Sequence, residues 1–241
     1  MLYFHPMNKR FTAFQLLYIS CISFLVFTCI GMFFFPGGTI LDHNTKGYSF
    51  FNNFFSELGR WRTVRGETNW ISFFCLEVAL IGQSVAMFIF NYRFLKATNS
   101  IRLNPAAYYI AMFCGSIFPF LLTGVAFTPC DLYLPYHMFF VRLAFGLLLP
   151  LSISYTLLIR KHHLLPNKYG NVMLVIVFAI AIYLGMIFFG PNPHQVGYVQ
   201  QTSQKIIVYS MIFSLLYLSY GCMKYLREDD MDLQRIDRSQ Q

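Results

Sequence analysis

Nearly unbroken apolar runs fill about 11–36, 70–92, 106–128, 136–159, 170–189 and 205–226 of the chain, and polar residues crowd between them. Each run is close to the roughly 20 residues that a helix needs to cross about 30 Å of hydrocarbon. The pattern therefore predicts an all-α integral membrane protein, a bundle of six transmembrane helices in one domain spanning 1–241. Pro36-Gly37-Gly38, Asn104-Pro105 and Gly190-Pro191-Asn192-Pro193 punctuate the runs. Pro119 and Pro150 lie inside the third and fourth runs, where each removes a backbone donor and predicts a kink.

One segment between the runs has a pattern of its own. At about 100° per residue, Phe50, Phe51, Phe54, Phe55 and Leu58 share one arc, while Ser49, Asn52, Asn53, Ser56 and Arg60 take the other. This predicts a short amphipathic interfacial helix in the first outer loop, with Gly59 as its stop. Arg60, Trp61, Arg62 and Arg65 follow it and could meet lipid phosphates.

Basic residues orient the bundle. Lys9 and Arg10 precede the first run, Arg93, Lys96 and Arg102 follow the second, and Arg160, Lys161 and Lys168 follow the fourth, with no acidic residue among them. The positive-inside rule then puts both termini in the cytoplasm, including a short solvated tail, 227–241. The first run is too long for a signal-peptide core and ends in Phe33-Phe34-Phe35-Pro36 in place of a small-residue cleavage site, so it stays as a span.

Composition agrees: 56% of residues are hydrophobic, 19% aromatic and only 12% charged, which excludes an ordinary soluble fold. The net charge of +8 sits in the connecting segments rather than in one stripe, so no nucleic-acid partner is expected and membrane lipids are. Cys21, Cys29, Cys75, Cys114 and Cys222 fall within apolar runs as small hydrophobes; only Cys130 lies near an aqueous face.

Candidate chemistry collects on the outer side, where Ser56, Glu57, Asp131, His137, His194 and Lys205 come from three separate loops. Glu57, Asp131, His137 and His194 have the N and O donors of a metal site, with zinc as the candidate ion, but match no ligand spacing, and no other cofactor is expected. A hydrolase would use Ser56 or a metal-bound water with His137 or His194 as base and Asp131 as orienter, without a nucleophile signature. A plainer alternative pairs Glu57 or Asp131 with Lys205 and leaves the histidines to tie loops together. Deeper in the bilayer, Glu77 and Arg142 fall at equal depth and are expected to form a buried ion pair.

Phe54-Phe55-Ser56-Glu57-Leu58-Gly59, just after the first span, resembles the "iSeLG" signature of DUF 998, a prokaryotic family of multi-pass membrane proteins that looks related to the FRAG/DRAM/Sfk group. Thr128-Pro129-Cys130-Asp131 with His137 is similar to that family's outer P-x-D and following His. Gln204-Lys205 stands where the family often opens its last span with a basic residue, although Lys in place of the usual Arg removes a bidentate fork. The resemblance covers essentially the whole chain. It implies six spans in a prokaryotic inner membrane and one outward-facing constellation of Ser56, Glu57, Asp131, His137 and Lys205. It implies no set reaction, since the eukaryotic group is linked to lipid remodelling and membrane homeostasis. The expected function is binding of a lipid or small amphiphile in an outward-facing polar pocket, its headgroup on Glu57, Asp131, His137 and Lys205. An exoplasmic metal-assisted hydrolase and a structural or assembly subunit are the alternatives.

Overall fold

The computed structural model describes residues 9–189 and 198–239. Its helices are α1 (Lys9–Phe34), α2 (Trp70–Ala97), α3 (Ser100–Leu103), α4 (Pro105–Ala126), α5 (Leu134–Lys161), α6 (Asn167–Phe189) and α7 (Val199–Ser239). Six of them, all but α3, are long and apolar enough to cross a membrane. The chain is thus a multi-pass membrane protein with an all-α bundle, and no strand forms among the described residues.

Hydrocarbon offers no water to backbone N–H and C=O groups, so each span must satisfy its own as a helix. Burial of apolar surface does not hold such helices together, because lipid is equally apolar; close packing and interhelical hydrogen bonds do. Both are evident. Each long helix packs on its sequence neighbours, and α7 returns to α1, closing a ring. Gly115 lets α4 approach α2 so closely that a Cβ there would lie 2.4 Å from the Asn91 side chain. Asn91 Oδ1 in turn accepts from Tyr155 Oη of α5 at 2.7 Å. Ser20 Oγ of α1 donates to Gln83 Oε1 of α2 at 2.9 Å. Phe14, Phe90, Phe94 and Tyr155 interlock in the core, with Phe90 stacked on Phe94 at 5.5 Å.

Both prolines are accommodated within continuous helices. Each follows a glycine by four residues, so the carbonyls that lose their usual donor belong to Gly115 and Gly146. The Pro carbonyls accept from Thr123 Oγ1 at 3.0 Å and Ser154 Oγ at 2.8 Å.

Three expectations need correction. The amphipathic helix is not formed: residues 49–53 make a turn, and only Phe55–Gly59 is helical, as a 3-10 helix. Neither arc stays together: Asn53 is buried while Asn52 is exposed, and Phe55 and Leu58 are buried while Phe50 and Phe51 are exposed. The sixth span begins at Val199, so Lys205 lies six residues, about 9 Å, inside the helix.

The Glu77–Arg142 pair is not formed either. Glu77 is buried, with Oε1 3.4 Å from where a Cβ on Gly59 would sit. Arg142 is exposed, between the exposed Phe139 and Leu143 on the outer surface of α5. In the ring α4 packs between α2 and α5, and a long guanidinium stem reaches an interface more cheaply than it crosses a bundle. α4 and residues 11–34 of α1, the long helices flanking Glu77, contain no charged residue. Glu77→Gln and Arg142→Gln are therefore expected to shift Tm in detergent additively, each by little; thermal unfolding of both singles and the double would show coupling above about 0.5 kcal/mol if the groups interact.

Alternation of six spans separates the first, third and fifth long loops from both chain ends. Cysteines placed at Lys46 and at Lys161, in a background without native cysteines, are expected to react with an impermeant maleimide from opposite faces of the membrane. Labelling of both from one face would break the ring order.

Candidate functional site

The first loop, 35–69, folds over the bundle as a set of side-chain-capped turns. Gly37 and Gly38 take φ of 134° and 88°, which side chains disfavour, and a Cβ on Gly37 would strike the Thr45 carbonyl oxygen. That turn presents the Gly38 carbonyl to Asn53 Nδ2 at 2.8 Å.

Asn53 is the hub. Its Oδ1 accepts from the Ser49 N–H at 2.8 Å, and its Nδ2 also donates to Glu57 Oε2 at 2.9 Å. Glu57 Oε2 further accepts the Phe54 N–H at 2.7 Å. The Asn53 carbonyl and the Gln201 carbonyl receive Lys205 Nζ, the second at 3.2 Å. Lys205 Nζ also lies 5.4 Å from the ring centres of both Tyr48 and Phe50, within cation–π range. One residue earlier, Gln204 Oε1 accepts the Phe55 N–H at 2.8 Å. Glu57 and Lys205 thus belong to one buried knot but are joined through Asn53, not as an ion pair.

Burial holds the Glu57 carboxyl above the usual carboxylate range, against the opposing pull of its hydrogen bonds from Asn53 and Phe54. Burial, with Glu57 nearby, likewise pushes the Tyr48 phenol well up. Glu57 Oε1 and both amide atoms of Gln201 are buried without a protein partner. Such atoms are costly unless water or a polar ligand group meets them.

Asp131 works elsewhere. Its two carboxylate oxygens accept the N–H groups of Trp61 at 3.1 Å and Arg62 at 2.8 Å, stapling the first loop to the α4–α5 loop. Cys130, expected near water, directs its thiol to the Ser56 carbonyl at 3.8 Å, and burial pushes it up to about 12. His137 is buried at the start of α5, where Nδ1 donates to the Thr128 carbonyl at 2.8 Å and Nε2 meets no protein group. No hydrogen bond joins Ser56 to His137. Glu57, Asp131 and His137 do not gather as metal ligands among the described residues, and His194 lies outside those residues.

Two spaces adjoin the knot. Below the 3-10 helix a partly enclosed cavity of about 70 Å³ is lined by Phe24, Ser56, Gln83, Val141, Gln204 and Met211 among others. It has room for about two waters at ~30 Å³ each, not for a headgroup. On the outside of the ring, between α6 and α7, a groove of about 440 Å³ runs past Val175, Ile206, Tyr209 and Phe213, with Phe50 and the Lys205 stem at one end. Neither space is an outward-opening polar pocket: one is a small, partly enclosed cavity and the other a lateral apolar groove. Asn53, Asn69 and Gln201 went unrecognised as site residues. Asn69 is buried and donates from Nδ2 to the Leu58 and Arg60 carbonyls at 3.1 and 3.0 Å; the signal available was the amide of Asn53 directly before the Phe54–Gly59 motif, and Asn69, ten residues past it, carried none.

No protein-family model matches the chain, and no curated protein or solved structure is similar to it.

The raised Glu57 carboxyl has a pH signature. The folded protein keeps this proton to higher pH than the unfolded chain, whose carboxyl titrates near about 4.3. Stability is therefore lost as pH rises from that value to the folded one and is flat beyond. In thermal unfolding across this range, Glu57→Gln is expected to gain on the parent as pH rises; a difference constant with pH would show that the carboxyl is not held up.

Proposed function

We propose that this protein binds a lipid or small amphiphile whose chain lies in the α6–α7 groove. The groove itself carries the reading. Its lining residues Val175, Ile206 and Phe213 are exposed on the bundle surface, so it opens sideways toward lipid rather than into water. Lys205 to Ser214 is nine residues of helix, about 13 Å, close to the depth of one leaflet's hydrocarbon. Tyr209 and Phe213 supply a firm aromatic wall, and Ser210 and Ser214 leave room between them. The polar end of the ligand would meet the rim formed by Phe50 and the first loop. Asp131, already spent on two backbone amides, takes no part, and Lys205 contributes mainly its stem.

Kinship to DUF 998 belongs to the same proposal, supported by Ser56-Glu57-Leu58-Gly59 and Pro129-x-Asp131. A structural or assembly subunit is the second reading, favoured by the internal hydrogen bonds that occupy Asp131, Lys205 and one oxygen of Glu57. The hydrolase reading has less support, because Ser56 and His137 make separate contacts.

Filling the groove separates binder from subunit. Ser210→Trp is expected to lower co-purifying lipid, measured by native mass spectrometry, by roughly tenfold, with Tm retained; unchanged lipid content in a folded variant would refute the groove as the site.

A further inference from the structure

The opposite end of the bundle holds a second concavity of different character. Where α2 ends, the chain reverses through α3 into α4, and Tyr92, Lys96, Asn99, Ile101, Tyr108 and Met112 enclose a space of about 280 Å³. The reversal is internally braced. Asn99 takes a left-handed φ of 47°, Thr98 Oγ1 donates to the Phe94 carbonyl at 2.8 Å, and Thr98 and Ser100 share a buried hydroxyl contact. Asn104 Oδ1 accepts the Ala107 N–H at 3.3 Å, starting α4.

Charge in this corner has one sign. Arg93 Cζ and Lys96 Nζ stand 5.9 and 6.0 Å from the Tyr92 ring centre, and Arg102 follows Ile101 on α3. Segment 93–105 holds no acidic residue, and none of these three cations has a carboxylate partner among the described residues. Lys96 and Arg102 are exposed, as are Tyr92 and Ile101. Lys96 therefore lines a space whose wall mixes the polar Lys96 and Asn99 with Tyr92, Ile101, Tyr108 and Met112, and Arg93 and Arg102 adjoin lining residues in sequence, at helix ends where the hydrocarbon meets water. Free phosphate would satisfy the charge and leave Ile101 and Met112 without purpose; a phospholipid satisfies both.

From this we infer a binding site for an anionic phospholipid at the α2–α3–α4 corner, its phosphate held by Arg93, Lys96 and Arg102 and its upper chain against Ile101, Tyr108 and Met112. Tyr92 orients the two nearer cations through its ring face. The site is independent of the α6–α7 groove, which lies at other helices.

The test uses the full chain in detergent, exchanged into mixed micelles of phosphatidylglycerol and phosphatidylcholine, with bound lipid read by native mass spectrometry. The parent is expected to retain phosphatidylglycerol preferentially. Lys96→Gln with Arg102→Gln is expected to reduce that retention roughly tenfold or more, while Lys46→Gln with Arg142→Gln, removing equal charge toward the other end, leaves it unchanged. Lys96→Arg, which keeps the charge, is expected to retain the lipid and guards against loss through misfolding. The site is refuted if the corner variant holds phosphatidylglycerol as the parent does, if the opposite-end variant loses it equally, or if millimolar inorganic phosphate displaces it. Ser210→Trp is expected to leave this preference intact, so failure here and failure of the groove are distinguishable.

Discussion

A lysine ammonium with only 1% of its surface exposed constrains this bundle more than any other group. A cation out of water must find acceptors, and isolated it would cost several kcal/mol. Lys205 takes the carbonyls of Asn53 and Gln201 and two aromatic faces. One of those carbonyls and both rings belong to the first loop, so satisfying the charge pulls that loop down onto α7. Gln204 reinforces the tie through the Phe55 N–H. α1, which feeds the loop, is thereby held beside α7, and the ring closes. The 3-10 helix then roofs the internal cavity, and Phe50 is set at the head of the lateral groove.

The same tie explains what could and could not be read from the residues alone. Spans were legible because hydrocarbon thickness imposes a length, and α1, α2, α4, α5 and α6 stand close to where hydropathy put them. The start of α7 was not, because Gln200, Gln201, Thr202, Ser203 and Gln204 look like loop to any hydropathy measure. They are helical, with Gln201 and Gln204 turned inward to the first loop. The expected interfacial helix failed for a related reason. Its apolar arc was real, but Asn53 and Glu57 can cap the backbone amides of Ser49 and Phe54, and such local bonds compete with a regular helix. A residue count estimates height for Glu77 and Arg142 but carries no azimuth, and with α4 packed between their helices the two form no ion pair.

The proposed constellation was legible as a neighbourhood rather than as a site. Glu57, Asp131, His137 and Lys205 do lie at one end of the bundle, but their polar atoms are largely turned on the chain itself. Asp131 shows why residue type alone misleads: a carboxylate that accepts two adjacent backbone N–H groups is a loop staple, although its sequence context reads equally well as a ligand.

Polarity is therefore distributed unequally between the two ends. At the end bearing the first loop, buried amides and carboxyls bind backbone, while Asp42, Lys46, Arg62, Arg65 and Glu67 stay exposed on the loop surface beside Phe50, Phe51 and Trp61. At the end bearing α3, Arg93, Lys96 and Arg102 have no carboxylate partner among the described residues, and the buried hydroxyls of Thr98 and Ser100 brace the turn. Positive charge without a carboxylate partner beside exposed tyrosine and isoleucine is open to an anion supplied from outside, whereas the amide knot is closed largely on its own backbone. A bilayer offers different chemistry at each depth, and on the two proposals the ends of this bundle divide it: chain-like apolar contact beside α7, phosphate-like anionic contact beside α3. Because Arg93, Lys96 and Arg102 all lie within ten residues of sequence, that division is set locally by the α2–α4 reversal and does not depend on the Lys205 tie that closes the ring.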